Sequence, residues 1–337
     1  MEPSLIDFKE QFNELLLRFL WRQWSALGVA GHADKDDPWM IDPEALLLFS
    51  TVVARRDSRL FDEILDWLLT NGSWINLQRL CRWQKEKEPG DSSVLAAIAS
   101  HLSKESAHAK WKILTQKIEP IAATNVVRPL FPGVPVLKTF DEKFLQWGWQ
   151  RNPVKFRGLS QPPRTDQPAT FLIKLRSLFG RQSRAEVIAW LLAHESGHPA
   201  EMARQLGYFP RSLQVVLNEL TLSGHVYAVR AVREKHFAIR HEEWRFLLTW
   251  KTGGSASFPQ WIQWGILFRV LRRFYDLLER PGIETMSPSL QAIEIKRALD
   301  VATLVKAGLP AHLTHPPDRT GPEFFRLCLN NFESLIG

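Results

Sequence analysis

The chain has 337 residues, of which 45% are hydrophobic and 23% charged, and a formal net charge of +7. That length supports two or three domains with cores of their own, and the composition is globular rather than disordered. No apolar run reaches the ~18 residues of a membrane span, and only Cys81 and Cys328 occur, so no membrane-spanning helix, disulfide framework or thiolate zinc site is expected. The acidic, amphipathic start MEPSLIDFKEQF lacks the positive and apolar regions of a secretory signal, and a cytoplasmic protein is expected.

In chain order, Phe8, Phe12, Leu15, Leu16, Phe19 and Leu20 recur at helical spacing and predict a helix over 4–27, ended by Gly28. Asp34, Asp36 and Asp37 crowd the next loop, which lacks the later Gly and Glu of a calcium loop. A second helix starts at Asp42-Pro43, a third covers Ser58–Asn71, and a fourth runs from Trp74 to about Lys85. A fifth is expected over Val94–Lys117, which makes 1–117 an all-helical domain. Residues 118–168 hold eight of the 21 prolines together with Val134, Phe140, Phe144, Trp147 and Trp149. Proline opposes helix, but a free linker would not carry so many apolar groups. A strap packed across other elements is expected, with one short helix near Asp141–Gly148.

Residues 169–248 are the most informative. Helices are predicted over 169–180, 183–194, 199–206 and 210–223, and 225–240 alternates as a hairpin with Val226, Ala228, Phe237 and Ile239 inward. Counted from Pro199, Ala203 is the fifth residue, where two crossing helices need a small side chain. Gly207 is the ninth, where the turn needs a left-handed backbone. Met202, Leu206, Tyr208, Leu213 and Val216 supply the apolar positions that seal the pair. On these residues the segment resembles the helix-turn-helix of bacterial winged-helix transcriptional regulators, over about 60 residues. One departure is Phe209, which stands where a polar cap usually precedes the second helix.

The resemblance implies a mostly α protein. Its winged helix-turn-helix, three helices plus a β-hairpin wing, is flanked by helical N- and C-terminal regions. It also implies a non-enzymatic regulator or repressor that binds double-stranded DNA without cofactor or metal. The helix period turns Leu213, Val216, Leu217 and Leu220 inward and Arg211, Ser212, Gln214, Val215 and Asn218 outward. Arginine suits guanine, Gln and Asn suit adenine, and Val suits the thymine methyl. Arg230, Arg233, Lys235 and His236 on the wing are expected at phosphates or the minor groove, with Glu219 opposing phosphate.

Charge sharpens and complicates this. Residues 138–184 hold 10 basic and 3 acidic side chains, so +7 sits in that stretch, whereas 1–137 is −2 and 185–337 is +2. This basic stretch is expected to supply phosphate contacts, because 185–245 is close to neutral. The competing reading is an adaptor whose winged helix docks a protein, as in defence or toxin–antitoxin systems. His194-Glu195-Ser196-Gly197-His198 matches a zinc-protease pattern, but Gly197 and Pro199 interrupt the single helix that chemistry needs. A weak echo between 63–80 and 186–206 raises a degenerate second helix-turn-helix. In 256–337, Trp261, Trp264, Phe268, Leu271 and Tyr275 form one helical stripe, and Leu290, Ile293, Ile295, Leu299, Val301, Leu304 and Val305 a second apolar set. Packing against the winged helix, a homodimer face and an effector pocket are the three readings of this region.

Overall fold

A computed structural model describes residues 4–31, 37–87, 89–116, 127–135, 139–231, 234–248, 257–298 and 320–337. It is mostly helical, and no helix among the described residues is long and apolar enough to cross a membrane. Helix α1 (Leu5–Ala26) opens with a reciprocal cap between Ser4 and Asp7. Helices α2 (Pro43–Val53), α3 (Ser58–Asn71) and α5 (Ser92–Leu102) start from the caps Asp42, Asp57 and Asp91, with α4 (Leu77–Lys87) between the last two. The helix expected over Val94–Lys117 is broken. It stops at Leu102, and a 3-10 turn over Ser106–Trp111 leads into α6 (Lys112–Thr115). Glu105 is extended there, and the Ser103 hydroxyl bonds back to the Ser100 carbonyl, competing with the helical ladder.

The described residues of the proline-rich segment, 127–135 and 139–168, pack against the helices. Strand β1 (Arg128–Pro129) pairs in parallel with β2 (Trp149–Gln150), and α7 (Glu142–Leu145) lies between them, capped by Asp141. Farther on, the backbone N–H groups of Gly158, Leu159 and Ser160 converge on the Asp66 carboxylate at 2.9–3.1 Å. Gln161 then bonds Gly28 and Asn71. Gly28 has φ +103°, and a Cβ there would lie 2.3 Å from the Gln161 carbonyl oxygen, so only glycine admits the strap.

Helices α8 (Phe171–Phe179), α9 (Ser183–Leu192), α10 (Pro199–Leu206) and α11 (Pro210–Leu222) follow, then a hairpin of β3 (Tyr227–Ala231) and β4 (Glu234–Ala238). With Trp244 and Leu247 they enclose a core of their own, joined by Met40. The C-terminal helices α12 (Trp264–Leu278), α13 (Pro288–Ala298) and α14 (Pro322–Ile336) belong instead to the core of the N-terminal helices. Phe268 stacks on Phe49 at 4.6 Å, and Phe274 meets Phe12 at 4.9 Å and Phe332 at 4.8 Å.

This corrects the reading of the aromatic stripe. Trp264, Phe268 and Leu271 are buried against N-terminal helices, so they form neither a dimer face nor, Trp261 apart, the floor of the 169–248 unit. In the second apolar set Ile295 is buried, Leu290 and Ile293 are exposed, and Leu299, Val301, Leu304 and Val305 lie outside the described residues. Asp37 is buried and accepts from Arg22 and Gln23, which makes it a structural carboxylate; Asp34 and Asp36 lie outside the described residues.

Candidate nucleic-acid interface

Helix α10 begins at Pro199, with His198 Nδ1 accepting from the Ala200 N–H at 3.3 Å, and ends at Gly207 in the left-handed region (φ +74°, ψ 37°). The Gly207 and Tyr208 N–H groups both bond the Ala203 carbonyl at 3.0 Å, which closes the turn. Met202, Ala203 and Leu206 of α10 are buried with Leu213, Leu217 and Leu220 of α11. Phe209 provides no side-chain cap to α11. Its ring is 67% exposed and lies under the Arg82 guanidinium at 4.1 Å.

The turn is also held from outside by α4. Arg79 Nε donates to the Leu206 carbonyl at 2.7 Å, and Asn76 Nδ2 to the Tyr208 hydroxyl at 3.0 Å. Gly207 lies so close to the Trp83 indole that a Cβ would come within 1.9 Å of Nε1. Behind the turn is a buried set of charges. Arg79 donates to Asp42 at 2.8 Å and Glu44 at 2.6 Å, and Arg176 to Glu44 at 2.7–2.8 Å and Glu186 at 2.6–2.9 Å. Burial pushes the Tyr208 hydroxyl well above the usual tyrosine range, and Glu186 adds to this. Sequence reasoning missed these residues. The available signal was a charged side chain inside an apolar run, Glu44 in PEALLLF and Arg176 in FLIKLRSLF.

The outward face of α11 is uncovered. Arg211, Ser212, Val215 and Asn218 are exposed. Gln214 departs from its expected place: it is half-buried and donates to Asn218 Oδ1 at 3.0 Å, one helical turn on. Glu219 pairs with Arg184 rather than standing alone. On the hairpin, Val226, Phe237 and Ile239 are buried but Ala228 is exposed. The reason is strand order. Gly197 bridges β4 at Phe237, with both backbone bonds at 2.9 Å, so β4 is flanked on both sides and β3 forms the outer edge. Lys235 is exposed, and His236 is half-buried with its ring 5.9 Å from that of His198. Arg230 lies on β3 opposite Lys235, while Arg233 and the Arg230 side chain lie outside the described residues.

Much of the basic stretch 138–184 is paired within the protein. Arg151 pairs with Asp62, Arg157 with Glu63, Arg164 with Asp166, Arg176 with Glu44 and Glu186, and Arg184 with Glu219. Lys174 and Arg181 donate to the Leu247 and Ser73 carbonyls. Arg151 and Arg157 fasten the strap, and Arg176 and Arg181 the 169–248 unit, to the N-terminal helices, whereas the Arg164, Lys174 and Arg184 contacts are internal to the strap or to that unit. His194 and His198 are also separated in role. His194 stacks flat on Trp190 at 3.8 Å, with Nδ1 2.7 Å from the Trp190 carbonyl oxygen, and α9 has ended at Leu192 before either histidine. Among the described residues no cluster of three His, Cys, Asp or Glu side chains is placed to hold a metal.

In comparisons with known proteins, no family model, no curated protein and no solved structure matches the chain.

Proposed function

We propose that residues 169–248 form a winged helix-turn-helix that binds duplex DNA as a cytoplasmic, non-catalytic transcriptional regulator. The N-terminal half of α11 enters the major groove and the β3–β4 hairpin lies against the backbone. The observation that carries this reading is the left-handed Gly207 turn followed by a helix whose inner face is buried and whose outer face, Arg211, Ser212, Val215 and Asn218, stays open. Arg211 and Asn218 are the base-reading side chains, with Gln214 orienting Asn218, and Lys235 contacts phosphate.

A second reading has an observation of its own. Phe209 is 67% exposed and Leu222 91% exposed at the two ends of α11, and the basic stretch is largely paired. These features favour a protein partner on the same face. Salt separates the two. Binding to the protein's own upstream DNA is expected to weaken steeply between ~50 and ~200 mM salt and to resist scrambled competitor. Arg211→Ala is expected to cost about 1–3 kcal/mol at one base-pair position and to relax preference there. A shift abolished by any competitor, or an Arg211→Ala protein with unchanged affinity and preference, would transfer α11 to the protein-docking reading.

A further inference from the structure

Among the described residues, a cleft of about 380 Å³ opens where the 169–248 unit returns the chain to the helical body. One wall is the C-terminal end of α9 at Leu192. A second is the 3-10 turn His241–Leu247, with His241, Glu242 and Arg245, and the third is the returning segment at Phe258 and Gln260. That volume falls within the ~300–1,000 Å³ of small-molecule sites, which join an apolar wall to a few placed polar groups. None of the lining residues belongs to α11 or to the hairpin, so the cleft is distinct from the α11 face and does not depend on its DNA-binding reading.

The walls are fixed. His241 Nε2 donates to the Leu192 carbonyl at 3.0 Å, which ties the turn to α9 and leaves Nδ1 as an acceptor in the neutral ring. Phe258 is half-buried, with its ring 5.7 Å from that of His241 and 6.1 Å from that of the fully buried Phe171. The Gln260 backbone is anchored to the body, its carbonyl accepting from the Met40 N–H at 3.1 Å and its N–H donating to the Pro38 carbonyl at 2.9 Å. The charged groups are held loosely by contrast. Arg245 and Glu242 meet at 3.5 Å with side chains 54% and 82% exposed, a contact of small net energy that a ligand can exchange at low cost.

This charge pattern specifies the ligand. A lone carboxylate on Arg245 would displace Glu242 and then lie beside a like charge, and a lone ammonium on Glu242 would meet Arg245 in the same way. A molecule that carries both charges close together gives each half of the pair its complement and leaves neither opposed. The carbonyl end of α9 carries partial negative charge and adds to the ammonium side. Leu192 and Phe258 offer apolar surface to the rest of the ligand. We propose that the cleft binds a free α-amino acid with a large apolar side chain, its carboxylate on Arg245, its ammonium on Glu242 and its side chain against Leu192 and Phe258.

The test is calorimetric titration of the full chain with L-phenylalanine, with 3-phenylpropionate and 2-phenylethylamine, which each lack one charge, and with glycine, which lacks the side chain. Arg245→Gln, Glu242→Gln and Arg211→Ala are titrated beside the unaltered protein. Phenylalanine is expected to bind saturably, about tenfold or more tighter than the other three probes. Its affinity is expected to fall about tenfold or more in Arg245→Gln and in Glu242→Gln, and to stay unchanged in Arg211→Ala. Both cleft variants replace exposed side chains and are expected to melt with the unaltered protein. The site is refuted if neither phenylalanine nor leucine binds up to ~10 mM, or if both cleft variants bind phenylalanine as the unaltered protein does. Equal affinity for 3-phenylpropionate and phenylalanine would overturn the amino-acid assignment.

Discussion

Arg176→Gln is expected to cost about 3–5 kcal/mol of stability, measured by urea unfolding at neutral pH. The side chain is fully buried and serves two carboxylates, Glu44 and Glu186, and the Trp74 carbonyl. The buried set holds three carboxylates, Asp42, Glu44 and Glu186, and two guanidiniums, Arg79 and Arg176. It already carries one surplus negative charge, and losing Arg176 makes that two, with no water to screen them. Glu186→Gln is the informative contrast. Glu186 Oε1 takes both Arg176 bonds, while no protein donor among the described residues reaches Oε2. An amide in that place keeps the acceptor and removes the surplus charge, so its cost is expected near 1 kcal/mol. Equal costs for the two variants would mean that charge balance does not govern this junction.

The same set predicts the acid limb of stability. Burial alone would raise the Asp42 pKa, but the charge and hydrogen bonds of Arg79, the Ala45 N–H and the field of Arg176 together hold it below the usual carboxylate value. A carboxyl depressed in the folded state contributes stability above its unfolded pKa, which is lost as pH falls through the folded value. Unfolding is therefore expected below about pH 4, and Arg176→Gln is expected to move its onset upward.

Gly207→Ala is expected to cost about 2–5 kcal/mol. Left-handed backbone costs a non-glycine residue about 1–2 kcal/mol, and overpacking adds about 1–3 kcal/mol. Here the intruding methyl would meet the Trp83 indole at 1.9 Å, and Trp83 is only 2% exposed, so it has little room to retreat. Adding Trp83→Leu to Gly207→Ala separates the parts, because it removes the collision and leaves the backbone strain. Chemical denaturation of the two variants gives both costs. A Gly207→Ala protein within about 0.5 kcal/mol of the unaltered one would show that the turn relaxes freely.

Elements whose information is local were legible in the sequence. Ala203 and Gly207 encode a close crossing and a left-handed turn within one short stretch, and Asp42-Pro43 marks a helix start directly. What failed depended on distant partners. An amphipathic stripe states that α12 buries Phe268 and Leu271, but not that Phe49 and Phe12 of the N-terminal helices lie opposite that face. A run of arginines states a charge, whereas the fate of that charge depends on Asp62 and Glu63, some 90 positions earlier. Ala228 was misplaced for a similar reason. Strand alternation fixes two faces but not which strand forms the edge, and Gly197 decided that. Of the outward residues on α11, the helix period placed Arg211, Ser212, Val215 and Asn218 correctly as exposed. Gln214 sits at the boundary of the buried face, where the period discriminates least.

The clamp that α4 places on the Gly207 turn bears on how such a protein is inherited. The 169–248 unit has its own core, yet Arg176, Tyr208 and the Leu206 carbonyl meet their counter-groups on Glu44, Asn76 and Arg79. Recombination that transplanted the unit as a cassette would carry half of each pair and strand the other half. Shuffled descendants are expected to survive only where both halves travel together, so the 169–248 unit and its helical body diverge as one lineage rather than as exchangeable parts.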